Sequence, residues 1–262
     1  MDRLTNFLFT PFWTAGVTVT AVAAARLWRR EHYVLAGERL WARGLLRTWG
    51  VKVEVEGLNQ LPPAGPYIIM ANHQSHADVP ILFSSLPIIP GFLAKKELGR
   101  IPFLAMALRA GGHVLIDRGD RSSAMRALKI AAEEIRSGKT LAIFPEGTRG
   151  CEDRLGPFKK GGFLVAKKAG VPVVPVGILG SRKVLARDAW FPRSGSVRLV
   201  AGKPIAPEEL RKLDVQDLSD RVYESIAGLL GWPTTPQREV PADSATSSTE
   251  APPDARTNAR PT

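Results

Sequence analysis

Cysteine is nearly absent from this chain: Cys151 is the only one among 262 residues. A disulfide within the chain is excluded, as is a metal site built on thiolates, and a lone thiol suits a reducing compartment. Acidic charge is also scarce. Thirty-six lysines and arginines stand against 25 aspartates and glutamates, a formal net charge of +11. That sign selects anionic partners: nucleic acid, an acidic membrane surface or a phosphorylated substrate. Nucleic-acid binding needs basic residues interleaved with aromatics on a groove-sized element, whereas the aromatics here gather near the N-terminus, so no nucleic-acid partner is expected. No G-x-S-x-G elbow occurs, which argues against Ser75 as a nucleophile. No His–Cys pattern supports a thiol mechanism at Cys151. The chain holds no internal repeat.

A long uncharged and largely apolar run covers residues 6–25, NFLFTPFWTAGVTVTAVAAA. Twenty helical residues reach roughly 30 Å, about one hydrocarbon thickness. The run is a marginal span, since it contains four threonines, Pro11 and Gly16. Arg26, Arg29 and Arg30 follow it, which puts its C-terminal side in the cytoplasm. The small residues Ala23, Ala24 and Ala25 keep a secretory signal as a rival reading, although a cleaved signal carries its arginines before the apolar run. Residues 35–49 then read as a helix with two faces. Trp41, Leu45 and Trp49 recur every four residues. Arg39, Arg43 and Arg47 do the same, offset by roughly 200°. This is the pattern of a helix lying in a headgroup layer, or of a surface helix packed on the domain.

From residue 51 the period changes. VKVEVE (51–56) alternates as a half-buried strand does. Short apolar runs follow at 67–71, 91–94, 113–116, 140–144, 171–178 and 196–201, with a helical pattern at 121–137 and a final helix at 208–230. Strands alternating with helices predict an α/β fold, a mostly parallel sheet flanked by helices. Residues 233–262 are rich in Pro, Ser, Thr and Ala and read as a disordered tail. From residue 237 this tail carries three arginines and four acids, so the basic excess belongs to the part before it. The expected division is 1–50 membrane-associating helices, 51–232 α/β domain and 233–262 tail.

Chemistry-bearing residues gather at strand ends. NHQSHAD (72–78) follows the apolar strand 67–71, where ligands bind in open α/β sheets. His73 and Asp78 are five apart and would not share a face of a regular helix. They meet if His73 lies in the turn and Asp78 in the first turn of the next helix. Asp78 then fixes one imidazole nitrogen and leaves the other as a general base. The bland reading makes Asn72, Ser75 and Asp78 caps and His73 a polar loop residue. FPEGTR (144–149) follows another apolar strand, and Pro145 and Gly147 force a tight turn there. Arg149, with Lys159 or Lys160 from FKKGG (158–162), could hold a phosphate at the next helix start.

Taken together, these blocks resemble the 1-acyl-sn-glycerol-3-phosphate acyltransferase family, across roughly residues 50–205. NHQSHAD is similar to the family's NHxSxxD block, which makes His73 the base and Asp78 its partner. His76 falls on a variable position of that block. GHVLIDR (112–118) resembles the second block, tied to acceptor binding, and carries Arg118. FPEGTRG (144–150) resembles the third, with Gly150 where the family usually has Ser. VPVVPVGI (171–178) resembles the fourth. Lys95 is similar to a phosphate-binding lysine, with Lys96 as its substitute. The resemblance implies direct acyl transfer from acyl-CoA or acyl carrier protein to the free hydroxyl of a lysophospholipid, lysophosphatidic acid, giving phosphatidic acid. Its implied substrate-binding residues are Lys95, Arg118, Glu146, Gly147, Thr148 and Arg149, with Glu146 orienting Arg149 or the glycerol. It implies no metal and no organic cofactor, membrane lipids as partners, and a catalytic domain on the cytoplasmic face of the cell membrane.

Overall fold

The computed structural model describes residues 3–30, 32–117, 119–150 and 153–236. Residues 237–262, most of the expected tail, lie outside the described residues. Seven strands fall where the alternating segment and the six apolar runs predict them: β1 (Val51–Glu56), β2 (Ile68–Ala71), β3 (Gly91–Lys95), β4 (Val114–Ile116), β5 (Leu141–Ile143), β6 (Val173–Leu179) and β7 (Gly195–Ala201). They form one sheet in the order β1-β7-β6-β2-β5-β3-β4. Every neighbouring pair is parallel except β6 with β7.

Helices cover both faces of the sheet. Alternation along β2 decides which side chain goes where. Tyr67, Ile69 and Ala71 face one core, with Leu45, Ile81 and Leu82; Ile68 and Met70 face the other, with Ile135, Phe163 and Ile226. The first core lies under α2 (His32–Thr48) and α3 (Asp78–Ser85), and the second under α5 (Arg121–Arg136), α6 (Lys160–Ala169) and α9 (Val215–Leu230). A strand buried on both faces has no polar side, which is why 67–71 reads as a continuous apolar run. The remaining helices are α1 (Arg3–Trp28), α4 (Pro102–Ala110), α7 (Ser181–Val184) and α8 (Pro207–Lys212). The final helix predicted at 208–230 is broken into α8 and α9. Asp214 stops it, because its carboxylate accepts from the Asp217 amide at 2.8 Å and caps the start of α9.

The helix predicted at 35–49 forms as α2, but its apolar face does not meet a headgroup layer. Leu45 and Trp49 are buried in the first core, and Trp41 packs against it. Three indole hydrogen bonds join α1 to the α2 segment: Trp13 to the Trp41 carbonyl (3.1 Å), Trp41 to Thr14 (2.9 Å) and Trp49 to Thr10 (3.4 Å). Gly37 and Gly44 let the two helices close up, since an added Cβ would strike Ala21 and the Trp13 ring. The basic face is partly engaged too: Arg39 donates to the carbonyls of Leu86 and Pro87 at 2.8 and 3.0 Å, at the C-terminal end of α3. Amphipathic periodicity gives the face of a helix but not what covers it, and here protein does.

One apolar face of α1 is left open. Phe12, Gly16, Val19, Ala23 and Leu27 recur every three or four residues along one exposed, uncharged face, with Phe12 77% and Leu27 73% exposed. Among the described residues, no helix is long and apolar enough to cross a membrane.

Candidate active site

Parallel pairing brings the motifs together. β2 and β5 are neighbours, with Met70 beside Ile143, so the segments leaving their carboxyl ends, 72–78 and 144–150, emerge side by side. β6 flanks β2 on the other side and β3 flanks β5. Asn72 ends the strand without leaving the sheet. Its buried amide donates to the Ile178 carbonyl (2.9 Å) and accepts from the Ile178 N–H (2.7 Å), while the main chain turns away.

His73 lies in that turn and Asp78 at the first position of α3. His73 Nδ1 donates to Asp78 Oδ2 at 2.8 Å. The same oxygen accepts from the amides of Gln74 (2.8 Å) and Ser75 (2.9 Å), so the five-residue separation closes as a tight loop around one carboxylate. Asp78 is fully buried and its Oδ1 has no hydrogen-bond partner among the described residues. The start of α3 adds its positive dipole end to this charge. The His73 ring stacks on Phe144 with centroids 4.1 Å apart and planes 13° apart. Its edge and its face are both held, and Nε2 has no partner among the described residues. The His73 side chain is 18% exposed. The ring is thus held through Nδ1 and one face, with Nε2 open.

The third block locks onto the first. Glu146 Oε1 accepts from the His73 amide at 2.8 Å and Oε2 from the Gly156 amide at 3.0 Å. The Gly150 amide donates to the His73 carbonyl at 2.8 Å. The His73 peptide is thus held on both sides by residues 146–150. Burial pushes the Glu146 carboxyl up to about 7; the two amide bonds oppose the shift and the Asp78 charge adds to it. Both Glu146 oxygens are taken up by backbone amides, so the expectation that it orients Arg149 or a glycerol gives way to a positioning role. A Cβ at Gly150 would meet Glu146 and His73 only at ordinary contact distances, so Ser fits there and the departure from the family letter is sterically neutral.

Arg149 donates to the Arg187 carbonyl (2.9 Å), and Arg187 donates back to the Arg149 carbonyl (3.4 Å). Partial burial, then the Arg187 charge beside it, lower the Arg149 pKa. Arg187 carries no spacing signal, and sequence reasoning does not find it. The only hint is a basic stretch after the fourth block, whose Leu185 carbonyl accepts from Ser75 Oγ at 2.6 Å. Gly147 adopts φ +70, and the Lys159 stem lies close across it. Thr148 is exposed. His76 is exposed at the rim; partial desolvation, then the Arg149 and His73 charges, lower its pKa.

Lys95 sits at the carboxyl end of β3, on the same sheet edge but with β5 between it and β2. It pairs with Glu97 at 3.4 Å, and Lys96 pairs with Asp117 at 3.2 Å; both lysines are exposed. No hydrogen bond or ion pair among the described residues joins them to His73. Arg118 and Cys151 lie outside the described residues. His113 is no loose histidine: its Nδ1 accepts from the Phe92 amide (3.0 Å) and its Nε2 donates to Glu38 (2.9 Å), which ties β4 to α2.

A family model described as Acyltransferase matches residues 52–179. A chloroplastic 1-acyl-sn-glycerol-3-phosphate acyltransferase of Brassica napus is 36% identical over 179 residues, which are 68% of this chain and 51% of that protein. The alpha 1-acyl-sn-glycerol-3-phosphate acyltransferase of Homo sapiens is 30% identical over 220 residues, 82% of this chain and 76% of that protein. The crystal structure of the 1-acyl-sn-glycerophosphate (LPA) acyltransferase PlsC from Thermotoga maritima matches with a TM-score of 0.73 and 27% identity, over 88% of this chain and 97% of that one. The chain spans about half the length of the plant relative and most of the human and bacterial ones. With the motif-bearing loops after β2 and β5 inside the residues that the family model matches, and with the human relative covered over 76% of its length, this chain belongs to the 1-acyl-sn-glycerol-3-phosphate acyltransferase family.

Proposed function

We propose that the protein transfers a fatty acyl group from acyl-CoA or acyl carrier protein to the free hydroxyl of lysophosphatidic acid, giving phosphatidic acid. The observation that carries this reading is the His73–Asp78 pair at the carboxyl edge of the sheet, with one imidazole nitrogen bonded and the other open. His73 Nε2 takes the proton of the acceptor hydroxyl as that oxygen attacks the thioester carbonyl. The C–S bond breaks, and the His73 imidazolium returns the proton to the departing sulfur, which leaves as the thiol. Asp78 stabilises the imidazolium that forms, as a carboxylate does in a catalytic triad, but the nucleophile is the substrate's own oxygen. The acceptor phosphate is assigned to Arg149 and Lys95, with Arg118 third. Glu146 and the Gly150 amide hold the His73 backbone against the phosphate-facing loop.

The acceptor lipid lives in a bilayer and the thioester donor in the cytosol, so the site belongs at their boundary. We assign the membrane contact to the exposed face of α1, followed by Arg26, Arg29 and Arg30 on the cytoplasmic side. The test is acyl transfer by the purified full chain, with labelled acyl-CoA and lysophosphatidic acid. His73→Ala is expected to lose roughly 10²–10⁴-fold, the usual worth of a positioned base, and His76→Ala to keep substantial activity. Labelled phosphatidic acid supports the proposal; labelled free fatty acid in its place makes the protein a thioester hydrolase. A dead His76→Ala beside an active His73→Ala overturns the assignment of the base.

A further inference from the structure

Four arginines converge on a groove far along the chain from His73. The groove lies between the end of α1, the start of α2 and α4, and has a volume of about 990 Å³. Arg26, Arg29 and Arg30 line it from one side and Arg109 from α4; Val34 and Met106 supply apolar wall, and no acidic residue lines it among the described residues. None of the four guanidinium groups has a hydrogen-bond or ion-pair partner among the described residues. The carboxyl ends of α1 and α4 offset part of this charge. Two helix termini contribute only about −0.5 each, against four full positive charges, so the groove stays strongly positive.

The backbone gives a second, independent sign. Arg29 has φ 52, the one non-glycine residue in the left-handed region among the described residues. It follows the last turn of α1, and the Arg30 amide reaches back to the Ala25 carbonyl at 3.0 Å. Glycine occupies the equivalent place after α6 and α9, as Gly170 and Gly231. An arginine there bears a strain that glycine does not. Strained backbone positions of this kind cluster at ligand sites. Exposed Leu27 and Trp28 lie beside it, so the surroundings suit a ligand that is part anion and part hydrocarbon.

We propose that this groove is a second anion site, apart from the His73 site, which takes the headgroup phosphate of an anionic glycerophospholipid. It deepens the reading of α1 as the membrane-facing element, yet its test needs no bilayer. Calorimetric titration of the full chain with dihexanoyl phosphatidylglycerol, held below its micelle concentration, measures it directly. Arg109→Gln is expected to weaken binding roughly tenfold, the low end for a charge-assisted hydrogen bond. Arg29→Gly is expected to weaken it similarly while raising Tm, because it removes the contact and the strain together. Dihexanoyl phosphatidylcholine and inorganic phosphate are expected to bind far more weakly. Wild-type affinity in Arg109→Gln overturns the proposal. So does equal binding of phosphatidylcholine, which makes the contact merely apolar, or of inorganic phosphate, which makes it a free-anion site. A loss in Arg149→Ala as large as in Arg109→Gln moves the ligand to the His73 site and also overturns it. Loss of vesicle flotation is a separate result: if α1 proves not to face a membrane while the titration succeeds, the groove stands and the membrane reading falls.

Discussion

Replacing Asp78 by Asn separates two jobs that its carboxylate performs at once. Oδ2 accepts three hydrogen bonds, from His73 Nδ1 and from the amides of Gln74 and Ser75, and Oδ1 accepts none among the described residues. The two amides can only donate, so they fix how the carboxamide sits: its oxygen must take the place of Oδ2. The His73 tautomer is therefore retained, and Nε2 stays free to accept a proton. The NH₂ group is forced into the place of Oδ1, buried without an acceptor. An unsatisfied buried donor costs about 1–3 kcal/mol, and at roughly 2–4 °C per kcal/mol for a chain of this size Tm falls by about 2–12 °C. What disappears from the chemistry is the negative charge beside the imidazolium. A hydrogen bond to a charged group is worth about 1.5–3 kcal/mol, so acyl transfer is expected to fall roughly 10- to 150-fold. Imidazole ¹⁵N resonances report the tautomer, and transfer to lysophosphatidic acid reports the rate. Full activity in Asp78→Asn, or a hydrogen moved from Nδ1 to Nε2, refutes this reasoning.

Three further outcomes are expected. Glu146 binds its proton more tightly when folded, with a carboxyl pushed from 4.5 up to about 7, so its contribution favours the fold below about pH 4.5 and is lost as pH rises through 7. The span amounts to about 3 kcal/mol at most, and denaturant titrations at pH 5 and 7.5 are expected to differ less in Glu146→Gln than in the wild type. Arg149→Ala is expected to raise the KM for lysophosphatidic acid by roughly 10–150-fold with a much smaller effect on acyl-CoA, and Lys95→Ala to act in the same sense; equal effects on both substrates would count against an acceptor role. Changing Phe12 and Leu27 together to Ser is expected to reduce flotation with anionic vesicles by about 3–6 kcal/mol if both side chains insert, whereas a fold intact by circular dichroism with unchanged flotation moves the membrane contact elsewhere.

The sheet was legible because burial writes itself as short apolar runs, on which six of the seven strands sit, and half-burial writes itself as the alternation of β1. The His73–Asp78 pair was legible because one loop carries both residues. The role of Glu146 was not. Its partners are the backbone amides of His73 and Gly156, and any residue supplies an amide, so no letter of the sequence marks the contact. Arg187 was hidden for the same reason, since it meets Arg149 through carbonyl oxygens. The helix at 35–49 shows a different limit. Its period put Trp41, Leu45 and Trp49 on one face correctly, but lipid and protein interior select the same residues, and only the packed structure separates them.

The clamp on the His73 peptide bears on how the chain folds. His73 donates to a carboxylate 73 positions away in sequence, and its carbonyl accepts from Gly150 in the same distant loop. Contacts of such separation form only after the chain between them has been closed into a loop, a slow step that local helices do not face. His73 is therefore not in place when its own strand and turn have formed; it waits for β5. In native-state hydrogen exchange, the amides of His73 and Gly150 should open together, in one cooperative event with the centre of the sheet, and a nascent chain that has not yet reached Gly150 should hold a histidine with no fixed address.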